Sequence, residues 1–187
     1  MGNRIEVKSD ITGANEEIEG SDNRFNVSSR SDSRFYYNSR DKGQSYSMTW
    51  AAVTPADGEY SFYLKNTSTS KTLVIHSIGV NADDLAKFKL WTVTGTAANG
   101  ASVTPTNLNL SSSNAAAVTA LHDGGSPAIS GLTQVALIDQ ASVVANGHEE
   151  MRVGDTLRLG QNDAIALELD VGTSTPETFG VCFFYFE

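Results

Sequence analysis

The stretch GDTLRLGQNDAIALELDVG, residues 154–172, has the pattern of two short strands about a turn. Leu157 and Leu159 alternate with polar residues on one side of the turn. The turn itself, residues 160–163 (Gly-Gln-Asn-Asp), consists of residues that favour tight turns. After it the apolar residues alternate again, at Ile165, Leu167, Leu169 and Val171. A period of two interrupted by turn residues predicts half-buried β-strands.

Similar stretches recur from about residue 46 to the end of the chain. The clearest are GEYSFYLKN (58–66), KTLVIHSIGV (71–80), AKFKLWTVTG (86–95) and TFGVCFFYFE (178–187), and weaker ones are NAAAVTALH (114–122), TQVALID (133–139) and EEMRV (149–153). No segment has the pattern of a capped amphipathic helix. The sequence therefore predicts an all-β sandwich or barrel.

The strand predicted at residues 178–187 is apolar on both faces. Phe179, Val181, Phe183 and Tyr185 alternate with Cys182, Phe184 and Phe186. Such a strand is either buried between two sheets or exposed on one face that an oligomer interface covers. The pattern leaves both readings open.

The N-terminal part of the chain differs in composition from the rest. Apolar residues are few and scattered in residues 1–45, which cannot bury enough apolar surface to fold alone. This part contains a tandem repeat, because SDNRFNVSSR (21–30) matches SDSRFYYNSR (31–40) at six of ten positions. We expect an extended arm, cleaved by trypsin after its arginines.

The repeat suggests an arm that docks twice, on similar surfaces of a partner or of its own oligomer. Arginine is well suited to bidentate contact with carboxylates, and phenylalanine is a rigid apolar anchor. The alternative is a linker whose two decamers resemble each other by chance. The docking hypothesis predicts equivalent roles for the two decamers and assigns partner binding to these residues: Arg24, Phe25, Arg30, Arg34, Phe35, Tyr36, Tyr37 and Arg40.

Several functional classes are disfavoured by composition and spacing. A net charge of −9 argues against a nucleic-acid partner. No secretory signal or membrane-spanning run is visible. His76, His122 and His148 lack metal-ligand spacing, and the single cysteine, Cys182, alternates with aromatic residues as a buried thiol would. There is no nucleotide-binding or catalytic motif, so we expect no cofactor, no metal and no enzymatic activity.

The chain resembles the head decoration, or cement, proteins of tailed bacteriophages. The resemblance rests on the arm, on LWTVTGTAANGASVTPTNLN (90–109), on VGDTLRLGQNDAIALELD (153–170) and on the terminal aromatic strand. Its most specific part is the element from Gly95 to Asn109.

This resemblance implies a jelly-roll-like β-sandwich at residues 49–187 behind an extended arm at residues 1–48. It also implies a non-enzymatic homotrimer in the virion, present in the host cytoplasm during assembly, whose partner is the major capsid protein. The oligomer interface is then expected at Phe179, Phe183, Phe184 and Phe186.

A rival hypothesis is a carbohydrate- or receptor-binding module of a tail or head fibre. Jelly rolls commonly bind sugars through exposed aromatic side chains and carboxylates. The candidates for such a site are Trp91, Tyr60, Tyr63 and Asp123.

Overall fold

The computed structural model describes residues 6–8, 15–17, 33–123, 127–151, 153–172 and 174–187. The chain divides into two units, residues 1–32 and residues 33–187. In the first unit, strand β1 (Glu6–Lys8) pairs antiparallel with strand β2 (Asn15–Glu17). The second unit is the β domain.

The β domain begins with a short helix, α1 (Arg34–Tyr37), which runs into a π-helical turn (Asn38–Lys42). The turn ends at Gly43, whose φ of 59° favours glycine. A Cβ atom there would also collide with the side chain of Ser112.

Twelve strands follow the helix in the described part of the chain. They are β3 (Ser45–Val53), β4 (Tyr60–Asn66), β5 (Leu73–Ala82), β6 (Ala86–Ala98), β7 (Ala101–Ser102), β8 (Thr106–Asn107), β9 (Val118–His122), β10 (Ser130–Val143), β11 (Gly147–Met151), β12 (Leu157–Leu159), β13 (Ala164–Asp170) and β14 (Thr178–Phe186). The predicted all-β class is therefore confirmed.

The strands form two antiparallel sheets that pack face to face. The first sheet has the order β11-β5-β14-β3-β8, with β12 also paired to β5, and the second has the order β10-β6-β13-β4-β9-β7. Eight of the strands, β3, β4, β5, β6, β10, β11, β13 and β14, alternate between the sheets along the chain, except that β6 and β10 both lie in the second sheet. Within the six strands of each sheet, the runs β11-β5-β14-β3 and β10-β6-β13-β4 with these connections have the order of a jelly roll.

The stretch at residues 154–172 contains two strands, as predicted, but they do not pair with each other. β12 pairs with β5 in the first sheet, and β13 pairs with β4 and β6 in the second. The turn between them therefore carries the chain from one sheet to the other. Asn66, fully buried, fixes this crossing because its side-chain amide donates to the backbone oxygen of Leu159 and its own backbone oxygen accepts from Asn162.

The core between the sheets is rich in aromatic side chains. Trp50 packs on Phe62 with ring centroids 4.8 Å apart, and Tyr46 stacks on Phe184 at 5.5 Å. All four rings are buried. Burying each such ring contributes roughly 1.5–3 kcal/mol by removing apolar surface from water.

The expected interface role of Phe184 and Phe186 is wrong. β14 lies at the centre of the first sheet, between β3 and β5, and not at an edge. Its inner face carries Cys182, Phe184 and Phe186 into the core, where Phe184 has no exposed surface and Phe186 is 3% exposed. These residues are buried between the sheets of their own chain, so no second copy is needed to cover them.

The outer face of β14 is covered in part by the chain's own helix. Tyr185 is fully buried there although it points away from the core, and Phe183 is half-buried, because the ring of Phe35 in α1 contacts both. Phe179, at the other end of the strand, is 45% exposed. An interface role for Phe179 and Phe183 stays a prediction.

The β domain starts earlier than the sequence predicts. It was expected at residue 49, whereas the compact unit begins at Ser33 and β3 begins at Ser45. Residues 33–48 are therefore part of the folded domain, because Phe35 and Tyr46 pack against its aromatic side chains.

Candidate functional site

The second decamer of the repeat supplies a docked helix. Arg34, Phe35, Tyr36 and Tyr37 form α1, and Arg40 lies in the π-helical turn. Ser33 caps the helix, since its Oγ accepts from the backbone N–H of Tyr36 at 3.2 Å. The other predicted partner-binding residues, Arg24, Phe25 and Arg30, lie outside the described residues.

Phe35 occupies a groove on the outer face of the first sheet. Its ring stacks on the imidazole of His76, with centroids 4.4 Å apart and planes 11° apart. The rings of Phe183 and Tyr185 meet it edge-on, each at 6.1 Å. We call the site formed by His76, Phe183 and Tyr185 the Phe35 groove. Offset or edge-on ring pairs each stabilise by about 0.5–1.5 kcal/mol beyond the area they bury.

An ion-pair cluster lies beside the Phe35 groove. Glu187 bridges two guanidinium groups, accepting from Arg34 Nη1 at 2.7 Å and from Arg158 Nη1 at 2.6 Å. Burial disfavours the charged form of Glu187, but its contacts with the two arginines outweigh burial and lower the pKa of the carboxyl. The hydrogen bond and the charge of Glu187 in turn raise the pKa of Arg34.

The imidazole under Phe35 is held by a second carboxylate. His76 Nδ1 lies 2.9 Å from Asp155 Oδ1. A carboxylate oxygen accepts, so this contact favours a proton on Nδ1. The contact fixes the plane of the imidazole on which Phe35 stacks.

Tyr185 forms the buried floor of the Phe35 groove. Burial, followed by the charges of Asp155 and Glu187, raises its pKa to about 12. Its hydroxyl has no hydrogen-bond partner among the described protein groups. The phenol therefore stays neutral, and its ring provides an apolar surface for Phe35.

Tyr36 and Tyr37 face cations on the surface of the helix. The guanidinium of Arg40 lies 5.3 Å from the ring centroid of Tyr36, and the ammonium of Lys42 lies 5.8 Å from that of Tyr37. Tyr36 is 46% exposed and Tyr37 is half-buried. Of the predicted residues in this decamer, Tyr36 and Arg40 thus remain on the surface, whereas the ring of Phe35 is already engaged.

Trypsin is expected to cleave slowly after Arg34 and Arg40, because cleavage requires α1 and the turn to unfold locally. Phe35→Ala removes the docked ring and should speed both cleavages about tenfold, the change that corresponds to a loss of about 1.4 kcal/mol of docking free energy. Mass spectrometry of timed digests measures the rates. Tyr36→Ala is the matched control, since this neighbouring ring is exposed. Equal rates for Phe35→Ala and the unaltered chain would contradict the docking role of the ring.

The lowered pKa of Glu187 predicts a pH dependence of stability. Its folded pKa is below its unfolded pKa, so the ion pairs stabilise fully above the ordinary carboxyl value of 4.5 and are lost as the pH falls through the folded pKa. Between about pH 6 and about pH 3, the melting temperature of the unaltered chain should therefore fall more than that of Glu187→Gln. Glu177→Gln, which alters an exposed carboxyl, should behave like the unaltered chain. Parallel curves for Glu187→Gln and the unaltered chain would refute the prediction.

The residues proposed for carbohydrate binding are mostly covered. Tyr60 is 9% exposed, and Tyr63 and Asp123 are each 1% exposed. Trp91 is half-buried, and its Nε1 donates to Glu168 Oε2 at 2.5 Å. Of these four candidates, Trp91 is therefore the one with a partly exposed ring, and it lies beside Glu168 and Gln134, which bond to each other at 2.8 Å.

The histidines have hydrogen-bond partners, and the cysteine is buried. His122 Nδ1 lies 2.6 Å from the backbone oxygen of Asp123, and His148 Nδ1 lies 3.0 Å from Asn81 Oδ1. Burial raises the pKa of the Cys182 thiol, which disfavours the nucleophilic thiolate. Within the described residues, no group of three His, Cys, Asp or Glu side chains is arranged to hold a metal ion.

The sequence gives no signal for the residues that complete the site. Asp155, Arg158 and Glu187 are far from the second decamer in the chain, and no spacing links them to it. His76 was considered in the sequence for its lack of metal-ligand spacing, and it forms a wall of the groove.

Comparison with known proteins gives no relative for the chain: no family model, no curated protein and no solved structure matches it. No helix in the part of the chain that the structure describes is long and apolar enough to cross a membrane. The fold and the groove define the class, a jelly-roll β-sandwich whose outer face binds its own N-terminal helix.

Proposed function

We propose that the chain is a structural protein of a bacteriophage particle, which binds the outside of the capsid and stabilises contacts between coat subunits. Its partner is the major capsid protein, and it has no enzymatic role. The partner and the location come from the resemblance to head decoration proteins. The mode of attachment comes from the way in which the second decamer docks.

The docking of Phe35 is the observation that carries the proposal. It shows the contacts that one decamer makes: a polar cap, a guanidinium on a carboxylate and a phenyl ring between aromatic rings. The first decamer has the same kinds of side chain in the same order, Asn23-Arg24-Phe25 against Ser33-Arg34-Phe35. Asparagine and serine are equally good helix caps. The first decamer therefore has the chemistry to bind an aromatic groove beside a carboxylate on a partner.

In this proposal the two decamers have different tasks. The ring of Phe35 is held by its own domain, so the second decamer anchors the arm to the sandwich. The first decamer, through Arg24, Phe25 and Arg30, contacts the coat subunit. This division replaces the equivalent roles that the repeat suggested. Because the β domain and the first decamer are linked, binding of one to the shell raises the effective concentration of the other there.

Cosedimentation tests the proposal. The purified chain is mixed with phage particles that lack it and is centrifuged through a cushion, with the chain alone as the control. We expect the chain to pellet with the particles and to saturate at a fixed ratio to the coat subunits. A chain that stays in the supernatant at every concentration would contradict the proposal.

A further inference from the structure

The charges of the β domain are divided unevenly between the two ends of the sandwich. Strand pairing and backbone hydrogen bonds bring together one end, which we call the α1 end: residues 33–46, 64–74, 106–119, 157–165 and 185–187. Its cations are Arg34, Arg40, Lys42, Lys65, Lys71 and Arg158, and its carboxylates are Asp41, Asp163 and Glu187. Cations therefore outnumber carboxylates here, although the whole chain carries a net charge of −9.

The opposite end of the sandwich is acidic. Strand pairing joins its segments, which are residues 53–60, 82–89, 139–151, 170–172 and 174–178. Its cations are Lys87 and Lys89, and its carboxylates are Asp57, Glu59, Asp83, Asp84, Asp139, Glu149, Glu150, Asp170 and Glu177. In the field of an acidic partner, a domain with this division of charge turns its α1 end toward the partner.

A loop tied to the π-helical turn gives the α1 end a fixed shape. The side-chain amide of Asn109 donates to the backbone oxygen of Arg40 at 3.2 Å, and that of Asn114 donates to the backbone oxygen of Lys42 at 3.1 Å. Carbonyl groups at the end of a helical turn need partners outside it, so these bonds join the loop to the turn. Asn109 is also the last residue of the element on which the resemblance mainly rests. This element therefore helps to build the α1 end.

The loop and the helix hold two large side chains in solvent at this end. Leu110, next to Asn109, is 88% exposed, the largest exposed fraction among the large apolar side chains that the structure describes. Tyr36 is 46% exposed, and the guanidinium of Arg40 lies over its ring. Tyrosine and arginine are enriched where proteins bind each other. Because hydrogen bonds already fix the loop, binding through it costs little conformational entropy.

We propose that the β domain binds the coat through the α1 end, and that the coat surface it contacts is acidic and has an apolar contact for Leu110. This inference rests on the proposed function and adds to it the face of the domain and the chemistry of the partner. The first decamer ends at Arg30 and Ser33 caps α1, so the sequence joins the two coat contacts directly. Nucleic acid is a less suitable partner, because the carboxylates of the remaining chain repel its phosphates.

Charge reversal tests the face that binds. Lys42→Glu and Lys71→Glu should each raise the Kd for particles about tenfold in cosedimentation. Lys87→Glu is the matched control: all three lysines are exposed, and the change in net charge is the same, but Lys87 lies at the acidic end. Its Kd should stay within about twofold of that of the unaltered chain. Raising NaCl from about 50 mM to about 300 mM should weaken binding of the unaltered chain more than that of Lys42→Glu.

Truncation of Leu110 tests the apolar contact. Leu110→Ala should raise the Kd for particles about tenfold, since the side chain loses its surface to water only when the coat covers it. Leu85→Ala is the matched control, because Leu85 is 61% exposed and lies at the acidic end. It should bind like the unaltered chain. Both variants should keep the melting temperature of the unaltered chain.

Titration of the isolated chain with a poly-aspartate peptide gives a readout without particles. In two-dimensional NMR spectra, amide shifts should concentrate at residues 36–44 and 107–114, and Lys42→Glu should weaken them. Shifts that avoid these residues would overturn the inference. Tighter binding of a DNA oligonucleotide than of the peptide would assign the surface to nucleic acid and also overturn it. So would a chain mass that grows with concentration at low salt and not in Lys42→Glu, because the acidic end of a second copy would then be the occupant.

The two proposals fail in different ways. If the unaltered chain never pellets with particles, the proposed function fails, and the peptide titration still decides the partner chemistry of the α1 end. If the unaltered chain pellets, but Lys42→Glu, Lys71→Glu and Leu110→Ala bind as well as their controls, the proposed function stands and this inference is wrong.

Discussion

Phe184→Ala is expected to lower the free energy of unfolding by about 3–5 kcal/mol, the usual cost of truncating a core phenylalanine. The ring has no exposed surface, stacks on Tyr46 at 5.5 Å and meets Phe186 edge-on at 6.3 Å. Alanine would leave a cavity between the sheets and remove both aromatic contacts. Denaturant titration of the purified variant measures the loss.

Phe179→Ala is the matched control on the same strand. Its ring is 45% exposed, so its loss should cost less than about 1 kcal/mol. Phe184→Ala should change stability without changing the mass of the folded species. If Phe184→Ala unfolds like the unaltered chain but sediments as a smaller species, Phe184 contributes to an oligomer interface, as the sequence suggested, and not to the core.

Replacing Arg24 and Phe25 together with alanine is expected to weaken attachment to particles about 100-fold or more. Burying a phenylalanine contributes about 1.5–3 kcal/mol, and a hydrogen bond to a charged group contributes about 1.5–3 kcal/mol. The smaller values sum to about 3 kcal/mol, which corresponds to a rise in Kd of about 100-fold. The melting temperature of this variant should not change. Cosedimentation over a range of chain concentrations gives the Kd.

The matched variant replaces Arg34 and Phe35 with alanine. It should lose the contacts with Glu187 and His76, and therefore lower the melting temperature and expose Arg40 to trypsin. Its binding to particles should change less than that of the first variant, because the first decamer is intact. A linker needs length and solubility but not these side chains, so equal attachment of both variants and the unaltered chain would favour the linker hypothesis.

Alternation predicted the long strands well, because each has one face in the core. β4, β5, β6 and β14 lie where the period of two placed them, within a few residues. β3 was missed although Tyr46, Met48 and Trp50 alternate with polar residues, since this stretch was assigned to the arm. Helix α1 could not be predicted, because four residues are too few to show a period.

Alternation did not decide which face of β14 is inside. Both faces are apolar, and in the folded domain Phe184 lies in the core between the sheets, whereas Tyr185 lies on the outer face against Phe35. Likewise, the residues at 160–163 predicted a turn, but they did not predict that this turn joins the two sheets. Strand order depends on contacts between distant segments, which a local pattern does not contain.

The candidate site was predicted only in its local part. Arg34 and Phe35 were singled out because the decamer repeats, and both make the kind of contact that was expected of them. They were expected to dock on a partner or on another copy of the chain, whereas they contact a groove of their own domain. His76 and Glu187 reach this groove from β5 and from the residue after β14. Only the fold brings them to the second decamer.

A cryo-electron microscopy structure of particles with the chain attached tests the central claim most directly. We expect the jelly roll outside the shell, Phe35 in its own groove, and residues 21–30 on a coat subunit. The ring of Phe25 should then lie against an aromatic or imidazole ring, and Arg24 should pair with a carboxylate. Particles without the chain, or an attached chain whose residues 21–30 make no contact with the coat, would contradict the account.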